Sequence, residues 1–251
     1  MILGPAVESF KVRKFKNLFF EFLLILSFFL VTQKKGSASE AILVAVLAAR
    51  EEKIREMKVK RPELTEAEVR AKLVGYGSIH SNSAIEKSGL LSATLIRLID
   101  SDENSVLRGA SVQKAIEADL EADLIPFVCI ATVGTTGTCA FDNMEEIGPV
   151  CKKFNVWMHI DAAYAGAAFC LPEYQHIKNG AEYGDSINFN LHKWMLVNFD
   201  CGAMWIRNAS ALTKSFNVDR IYLDHEYQGN SKAPDYRHWQ LALGRRFRSL
   251  R

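Results

Sequence analysis

Two stretches, Val156-Trp157-Met158-His159-Ile160-Asp161-Ala162-Ala163-Tyr164 and Ser186-Ile187-Asn188-Phe189-Asn190-Leu191-His192-Lys193-Trp194, decide the fold. Each begins with a strand-like run and then presents a chemically active side chain, Asp161 in the first and Lys193 in the second. Open α/β sheets bind their ligands beyond the carboxyl ends of their strands. The two stretches therefore predict an α/β fold with a ligand site between two strand ends.

Neighbouring segments extend this prediction into a sheet. Phe127–Thr132 and Val156–Ile160 are short, nearly continuous apolar runs, which is typical of strands covered on both faces. The helix-like segment Met144–Phe154 lies between them, which gives a βαβ unit with a right-handed crossover. Cys201–Ile206 follows as another strand, and Ala41–Arg50 is a strongly helical run. We predict an α/β protein with a mainly parallel sheet and helices on both faces.

Composition limits the class of protein. A chain of 251 residues with 49% hydrophobic content can bury one substantial core. The net charge of +2 gives no reason to expect nucleic acid as a partner. The five cysteines have neither a C-x-x-C pair nor metal-ligand spacing, so we expect reduced, partly buried thiols in a cytoplasmic protein and no metal site: Cys129, Cys139, Cys151, Cys170 and Cys201.

Residues 1–35 differ from the rest of the chain. The apolar run Leu18–Thr32 has lysine and arginine on its N-terminal side and lysine on its C-terminal side, which is the outline of a secretory signal or signal anchor. The run is short for a membrane span of roughly 20 residues, and Glu21 interrupts it. Three interpretations stay open: an unrelated or mispredicted leader, a targeting or membrane segment, and a buried helix. We predict an atypical leader over 1–35 and one domain over 36–251.

The lysine and the acid together indicate a specific chemistry. A lysine ε-amine can form a Schiff base with the aldehyde of pyridoxal 5'-phosphate, as Lys193 would. A carboxylate such as Asp161 keeps the ring nitrogen of that cofactor protonated, so that the ring withdraws electrons from a substrate α-carbon. The alternative is a surface lysine and a strand-end aspartate in an ordinary α/β domain.

Four motifs make the chain similar to a known family: Gly134-Thr135-Thr136-Gly137-Thr138, Asp161-Ala162-Ala163-Tyr164, Asn190-Leu191-His192-Lys193-Trp194 and Asp235-Tyr236-Arg237-His238-Trp239-Gln240. They resemble the pyridoxal-phosphate-dependent group II decarboxylases, especially the aromatic L-amino acid decarboxylases and related insect enzymes. The resemblance runs from about Gly36 to Arg251. It implies the large domain of a fold-type I pyridoxal enzyme, a homodimer when full length, and an incomplete chain that lacks the family's N-terminal segment and C-terminal small domain.

The resemblance also implies roles for individual residues. The cofactor phosphate would lie at Ala38 and Ser39, where the start of a helix offers free N–H groups; the alternative is a serine N-cap with Glu40 in the first turn. Two further family positions lie near the cofactor: Thr136, which is otherwise a turn residue, and Asn190. His192 matches the family motif as a catalytic residue, and the alternative is a packed structural histidine. His159, two residues before Asp161, would orient that carboxylate or serve as a core histidine.

Tyr222 lies in a polar stretch that reads as an exposed loop. In the family, a tyrosine at this point belongs to a mobile loop that closes on the site and returns a proton to the substrate carbon after CO2 leaves. The alternative is a loop tyrosine packed on the surface.

The chain departs from the decarboxylase pattern at Asn82. Aligning Tyr76–Gly89 with the family places Asn82 where decarboxylases carry a histidine that stacks on the cofactor ring. Asparagine there resembles the insect aromatic aldehyde synthases, and Leu191 agrees with them. An imidazole can relay a proton near neutral pH, whereas an amide cannot. Loss of CO2 leaves a carbanion at the substrate α-carbon. If protonation of this carbanion is slow, dioxygen intercepts it, and the products become an aldehyde, CO2, ammonia and hydrogen peroxide.

These observations lead to a functional hypothesis. We expect pyridoxal-phosphate-dependent decarboxylation of an aromatic L-amino acid, with L-dopa as the leading candidate. Oxidative deamination would then give the aromatic acetaldehyde, with dioxygen as the second substrate. Two alternatives are simple decarboxylation to dopamine or tyramine, and a catalytically inactive fragment.

Overall fold

The structure is a computed structural model that describes residues 31–218 and 235–242. Within these residues, seven strands form one sheet: β1 Val31–Lys35, β2 Leu73–Ser78, β3 Leu95–Ile99, β4 Ile125–Thr132, β5 Trp157–Asp161, β6 Ser186–Asn190 and β7 Gly202–Ile206. Their spatial order is β1-β7-β6-β5-β4-β2-β3. Strands β3, β2, β4, β5 and β6 are parallel, whereas β7 and β1 are antiparallel to their neighbours. The predicted mainly parallel sheet is confirmed.

Six α-helices are found in the same residues: α1 Ala38–Lys60, α2 Glu66–Lys72, α3 Ala84–Ser92, α4 Gly109–Glu121, α5 Met144–Lys153 and α6 Ala209–Phe216. Successive side chains of a buried strand point to opposite faces of the sheet. In β4, Cys129 and Ala131 pack in the cluster that contains α4 and α5 residues. Val128 and Ile130 pack in the cluster that contains α1 and α3 residues. Helices therefore cover both faces, as predicted.

Helix α1 is longer than the sequence pattern predicted. It continues beyond Arg50 to Lys60, because the charged residues that follow are good helix formers. The charged stretch after Arg50, over 51–70, has the sequence pattern of a solvated face, and that interpretation is wrong at Lys53, which is buried. Its amine donates to the Asn155 carbonyl oxygen over 2.6 Å and pairs with Glu56 over 2.9 Å. Burial of a lysine is tolerated here because both contacts satisfy its charge.

The predicted leader overlaps the first strand. β1 lies within 1–35 and pairs with β7, in a register that places Val31 opposite Ile206. Most of the apolar run Leu18–Thr32 lies outside the described residues. Among the residues that are described, none of the helices is both long and apolar enough to cross a membrane.

Candidate active site

A cavity of roughly 580 Å³ opens at the carboxyl ends of β4, β5 and β6. The first turn of α1, the loop over residues 133–139 and the turn after β6 enclose it. Its walls include every predicted site residue that the structure describes: Ala38, Ser39, Asn82, Thr136, Asp161, Asn190, His192 and Lys193. Tyr222 lies outside the described residues.

Asp161 is the last residue of β5 and is almost fully buried. The parallel pairing of β5 with β6 places it opposite Asn188. Its Oδ1 atom accepts hydrogen bonds from the Ala163 backbone amide and from Asn188 Nδ2, both over 3.1 Å. None of the described residues donates to Oδ2. The carboxylate is thus held through one oxygen, and the other remains available to a ligand in the cavity.

His159 does not contact Asp161 directly. Its Nε2 atom lies 2.7 Å from Asn188 Oδ1, and its Nδ1 atom lies 2.7 Å from Ser186 Oγ. Burial lowers the pKa of His159 to about 4, so the imidazole is neutral near pH 7. If His159 orients Asp161, as one of its two interpretations holds, it does so through Asn188, which contacts both side chains.

Asn190 ends β6 and is also buried. Its backbone amide donates to the Ala163 carbonyl oxygen over 3.1 Å. Its side-chain oxygen Oδ1 is buried without a hydrogen-bond partner among the described residues. Most buried polar atoms in folded proteins are hydrogen-bonded, so an unpaired one in a cavity wall indicates where a ligand binds.

Lys193 lies in the turn that follows β6. Its backbone amide donates to the Asn190 carbonyl oxygen over 3.1 Å, which fixes the turn. The side chain is exposed, and no described residue forms an ion pair or hydrogen bond with its amine. An amine without a partner is free to react with a ligand that enters the cavity.

His192, next to the lysine, has a defined orientation. Its Nδ1 atom accepts a hydrogen bond from the Cys201 backbone amide over 2.8 Å, so the ring proton of the neutral imidazole lies on Nε2. The ring also packs against Phe199, with centroids 4.4 Å apart. Burial lowers the pKa of His192 below its ordinary value. The residue is therefore a neutral donor at the cavity wall near pH 7.

Asn82 connects two walls of the cavity. Its Oδ1 atom accepts from the Ala84 backbone amide over 3.0 Å at the start of α3. Its Nδ2 atom donates to Thr136 Oγ1, also over 3.0 Å. The loop that carries Thr136 turns at Gly134, whose φ of 87° is unfavourable for residues with a side chain.

The first turn of α1 forms the third wall. Ser37 occupies the N-cap position, but its side chain makes no capping hydrogen bond. The Gly36 amide donates instead to the Glu40 carboxylate over 2.9 Å. The amides of Ala38 and Ser39 have no acceptor among the described residues. Free amides at the positive end of a helix of 23 residues favour an anion such as a phosphate.

Several residues of the site were not predicted from the sequence. Asn188 supports Asp161, and its signal was available: His159 and Asp161 alternate in β5, as Ser186, Asn188 and Asn190 do in β6. Buried polar side chains at every second position of a strand point to one face. Tyr164 and Trp194 stack with centroids 4.9 Å apart and an interplanar angle of 8°, which ties the lysine turn to the cavity wall.

A family model and several known proteins are similar to most of this chain. Residues 27–251 match the pyridoxal-dependent decarboxylase conserved domain. Over 217 residues the chain is 61% identical to 3,4-dihydroxyphenylacetaldehyde synthase of Aedes aegypti, which covers 86% of this chain and 42% of that protein. It is 52% identical to aromatic-L-amino-acid decarboxylase of Rattus norvegicus over 86% of this chain and 45% of that protein. The chain thus spans less than half the length of these two curated relatives.

A solved structure shares the fold. The crystal structure of Oryza sativa TDC with PLP and tryptamine superposes with a TM-score of 0.84 and 30% sequence identity, over 96% of this chain and 50% of that chain. This likeness confirms the predicted fold, a mainly parallel sheet with helices on both faces.

Proposed function

Because the chain belongs to the pyridoxal-dependent decarboxylase family, whose cofactor is pyridoxal 5'-phosphate, we propose that it carries the catalytic centre of an aromatic L-amino acid decarboxylase. One observation carries the proposal: a single cavity contains a free lysine amine, a buried carboxylate with one unused oxygen, and an open helix start. A cofactor with an aldehyde, a ring nitrogen and a phosphate needs one partner of each kind.

The residues present fit this cofactor. Ala38 and Ser39 would hold the phosphate through their backbone amides, and the unpaired side chain of Asn190 would contact the bound molecule. Asp161 would meet the ring nitrogen through Oδ2, and Lys193 would bond to the aldehyde carbon. When bound, the cofactor supplies an aromatic ring that withdraws electrons from the substrate α-carbon as CO2 leaves.

The protein side chains would then determine what happens at the α-carbon. His192 presents an Nε2 proton at the cavity wall and is neutral near pH 7. We assign proton return to Tyr222, on the family likeness of its position. At Asn82, a side-chain amide stands in place of an imidazole, and an amide has no group that titrates near pH 7.

We therefore propose the aldehyde-forming reaction as the outcome. An aromatic L-amino acid, with L-dopa as the first candidate, reacts with dioxygen and water to give an aromatic acetaldehyde, CO2, ammonia and hydrogen peroxide. Dioxygen takes up the two electrons that oxidise the α-carbon and becomes the peroxide. The name of the Aedes aegypti relative supports this product, and the name of the rat relative supports the amine as the alternative. Homodimer assembly also stays a prediction.

Covalent trapping tests the lysine assignment directly. The chain is mixed with pyridoxal phosphate, reduced with borohydride and digested, and the modified peptide is identified by mass spectrometry. We expect the label on Lys193, with visible absorbance that Lys193→Ala abolishes. Lys214→Ala changes an exposed lysine of α6 and should behave as the unsubstituted chain. Label on other lysines only, or absorbance that persists in Lys193→Ala, would overturn the assignment.

A further inference from the structure

Five side chains form one continuous series of hydrogen bonds that ends at Asp161. Trp157 Nε1 lies 2.9 Å from Ser186 Oγ, and Ser186 Oγ lies 2.7 Å from His159 Nδ1. His159 Nε2 lies 2.7 Å from Asn188 Oδ1, and Asn188 Nδ2 lies 3.1 Å from Asp161 Oδ1. Ser186, His159 and Asn188 are fully shielded from solvent, each with 0% exposure.

The two ends of the series, the Trp157 indole and the Asp161 carboxylate, determine the direction of each hydrogen bond between them. An indole N–H can only donate, so the Ser186 oxygen accepts from Trp157 and its hydroxyl proton turns toward His159 Nδ1. The neutral imidazole then carries its proton on Nε2 and donates to the Asn188 carbonyl oxygen. The amide nitrogen of Asn188 is left to donate to the carboxylate, which when ionised can only accept.

The sheet register places these groups on one face. In the parallel pair β5/β6, His159 is opposite Ser186 and Asp161 is opposite Asn188. Period-two alternation then points all four side chains to the same side of the sheet. Polar groups buried this deeply are costly unless every one is paired, and here each member of the series has its partner.

We propose that Ser186, His159 and Asn188 are positioning residues that hold Asp161 through a one-directional series of donors. Every N–H and O–H in the series points toward the Asp161 carboxylate, and hydrogen bonds donated to a carboxylate favour its charged form. Because the series ends on Oδ1, Oδ2 stays free for the cofactor ring nitrogen. This inference rests on the proposed function, since it takes the ligand of Asp161 to be the pyridoxal ring.

The direction of the series can be measured in the chain without cofactor. Nitrogen-15 labelling of histidine distinguishes a protonated ring nitrogen from a bare one by its chemical shift. We expect His159 at pH 7 to carry its proton on Nε2, with Nδ1 as acceptor. A proton on Nδ1, or on both nitrogens, would reverse or break the series and would overturn the proposal.

Its effect on the cofactor is measured with pyridoxal phosphate labelled with nitrogen-15 in the ring. Asn188→Leu removes the donor to Asp161 at similar volume. We expect binding to weaken about tenfold, as for a lost hydrogen bond to a charged group, and the ring-nitrogen shift to move toward the unprotonated value. Ser186→Ala leaves Asn188 in place but frees the imidazole to change tautomer, so we expect a smaller change in the same direction.

Tyr76→Phe is the matched control. Tyr76 lies in β2 of the same sheet, away from the cavity, and its hydroxyl donates a buried hydrogen bond of 3.0 Å to Asp119 of α4. We expect it to lower stability and to leave both the cofactor affinity and the ring-nitrogen shift unchanged. Equal ring-nitrogen shifts in Ser186→Ala, Asn188→Leu and Tyr76→Phe would show a merely structural role. If the unsubstituted chain binds no pyridoxal phosphate, the proposed function fails, and the histidine measurement separately decides the direction of the series.

Discussion

The side-chain amide of Asn82 donates a hydrogen bond of 3.0 Å to the Thr136 hydroxyl. The same side chain accepts from the Ala84 amide through Oδ1, so both ends of the amide are held. The amide plane is therefore fixed between α3 and the loop after β4. This contact makes Asn82 a rigid part of the cavity wall, without a group that can take up or release a proton near neutral pH.

Asn82→His should change the product of the reaction. An imidazole at this position can relay a proton to the α-carbon, so we expect the ratio of hydrogen peroxide to CO2 to fall and amine to appear. The ratio of hydrogen peroxide to CO2 is measured with L-dopa as substrate under air. Asn82→Gln is the control, because it keeps an amide and should keep the peroxide. An unchanged ratio in Asn82→His would contradict the proposed role of position 82.

Thr136→Val should weaken cofactor binding by roughly fivefold, since it removes the acceptor that holds the Asn82 amide at a net cost near 1 kcal/mol. The affinity is obtained by fluorescence titration with pyridoxal phosphate. Thr213→Val is the control, because its hydroxyl bonds to the Ser210 carbonyl oxygen within α6 and to no other described residue. In the double variant with Asn82→Ala we expect a loss smaller than the sum, and full additivity would indicate that the two side chains act independently.

Gly134→Ala should destabilise the loop after β4. The residue has φ 87°, and an added Cβ would lie 2.9 Å from the Ala165 Cβ atom. We expect a loss of about 1–3 kcal/mol in the free energy of unfolding, measured by urea denaturation. Gly137→Ala is matched to it in the same loop, where an added Cβ meets nothing within 4 Å, and should stay within about 0.5 kcal/mol of the original. Equal losses in both variants would refute the argument.

Stability should depend on pH through His159. Its pKa is lowered by burial from an ordinary 6.5 to about 4, so the unfolded chain takes up this proton first. The contribution of His159 is therefore fully present above pH 6.5 and is lost as the pH falls toward 4. Asp142 has the opposite effect on stability, because burial raises its pKa from an ordinary 3.8 to about 6. The contribution of Asp142 to stability is therefore fully present below pH 3.8 and is lost as the pH rises through 6.

His159→Gln separates the two contributions, because Asp142 is unchanged in it. We expect the difference in unfolding free energy between the original chain and this variant to shrink by a few kcal/mol from pH 7 to pH 4. Urea denaturation at both pH values measures this difference. A difference independent of pH would show that His159 does not titrate in this range.

The strands at the centre of the sheet could be predicted to within a few residues. The runs that became β4 and β5 are short and apolar, and burial on both faces leaves this pattern in the sequence. The end of α1 could not be predicted in this way. Its charged residues resemble a surface segment, and only the packing of Lys53 onto Asn155 shows that one of them is buried.

The sequence by itself determined which chemical groups the site contains. A lysine after one strand, an aspartate after another and an asparagine in place of a histidine are residue types, and residue type decides what a side chain can donate, accept or bond to. Their partners were decided only by the tertiary structure. Asn82 meets Thr136 and Asn188 bridges His159 to Asp161 because parallel pairing and helical crossovers bring distant segments into register at one edge of the sheet.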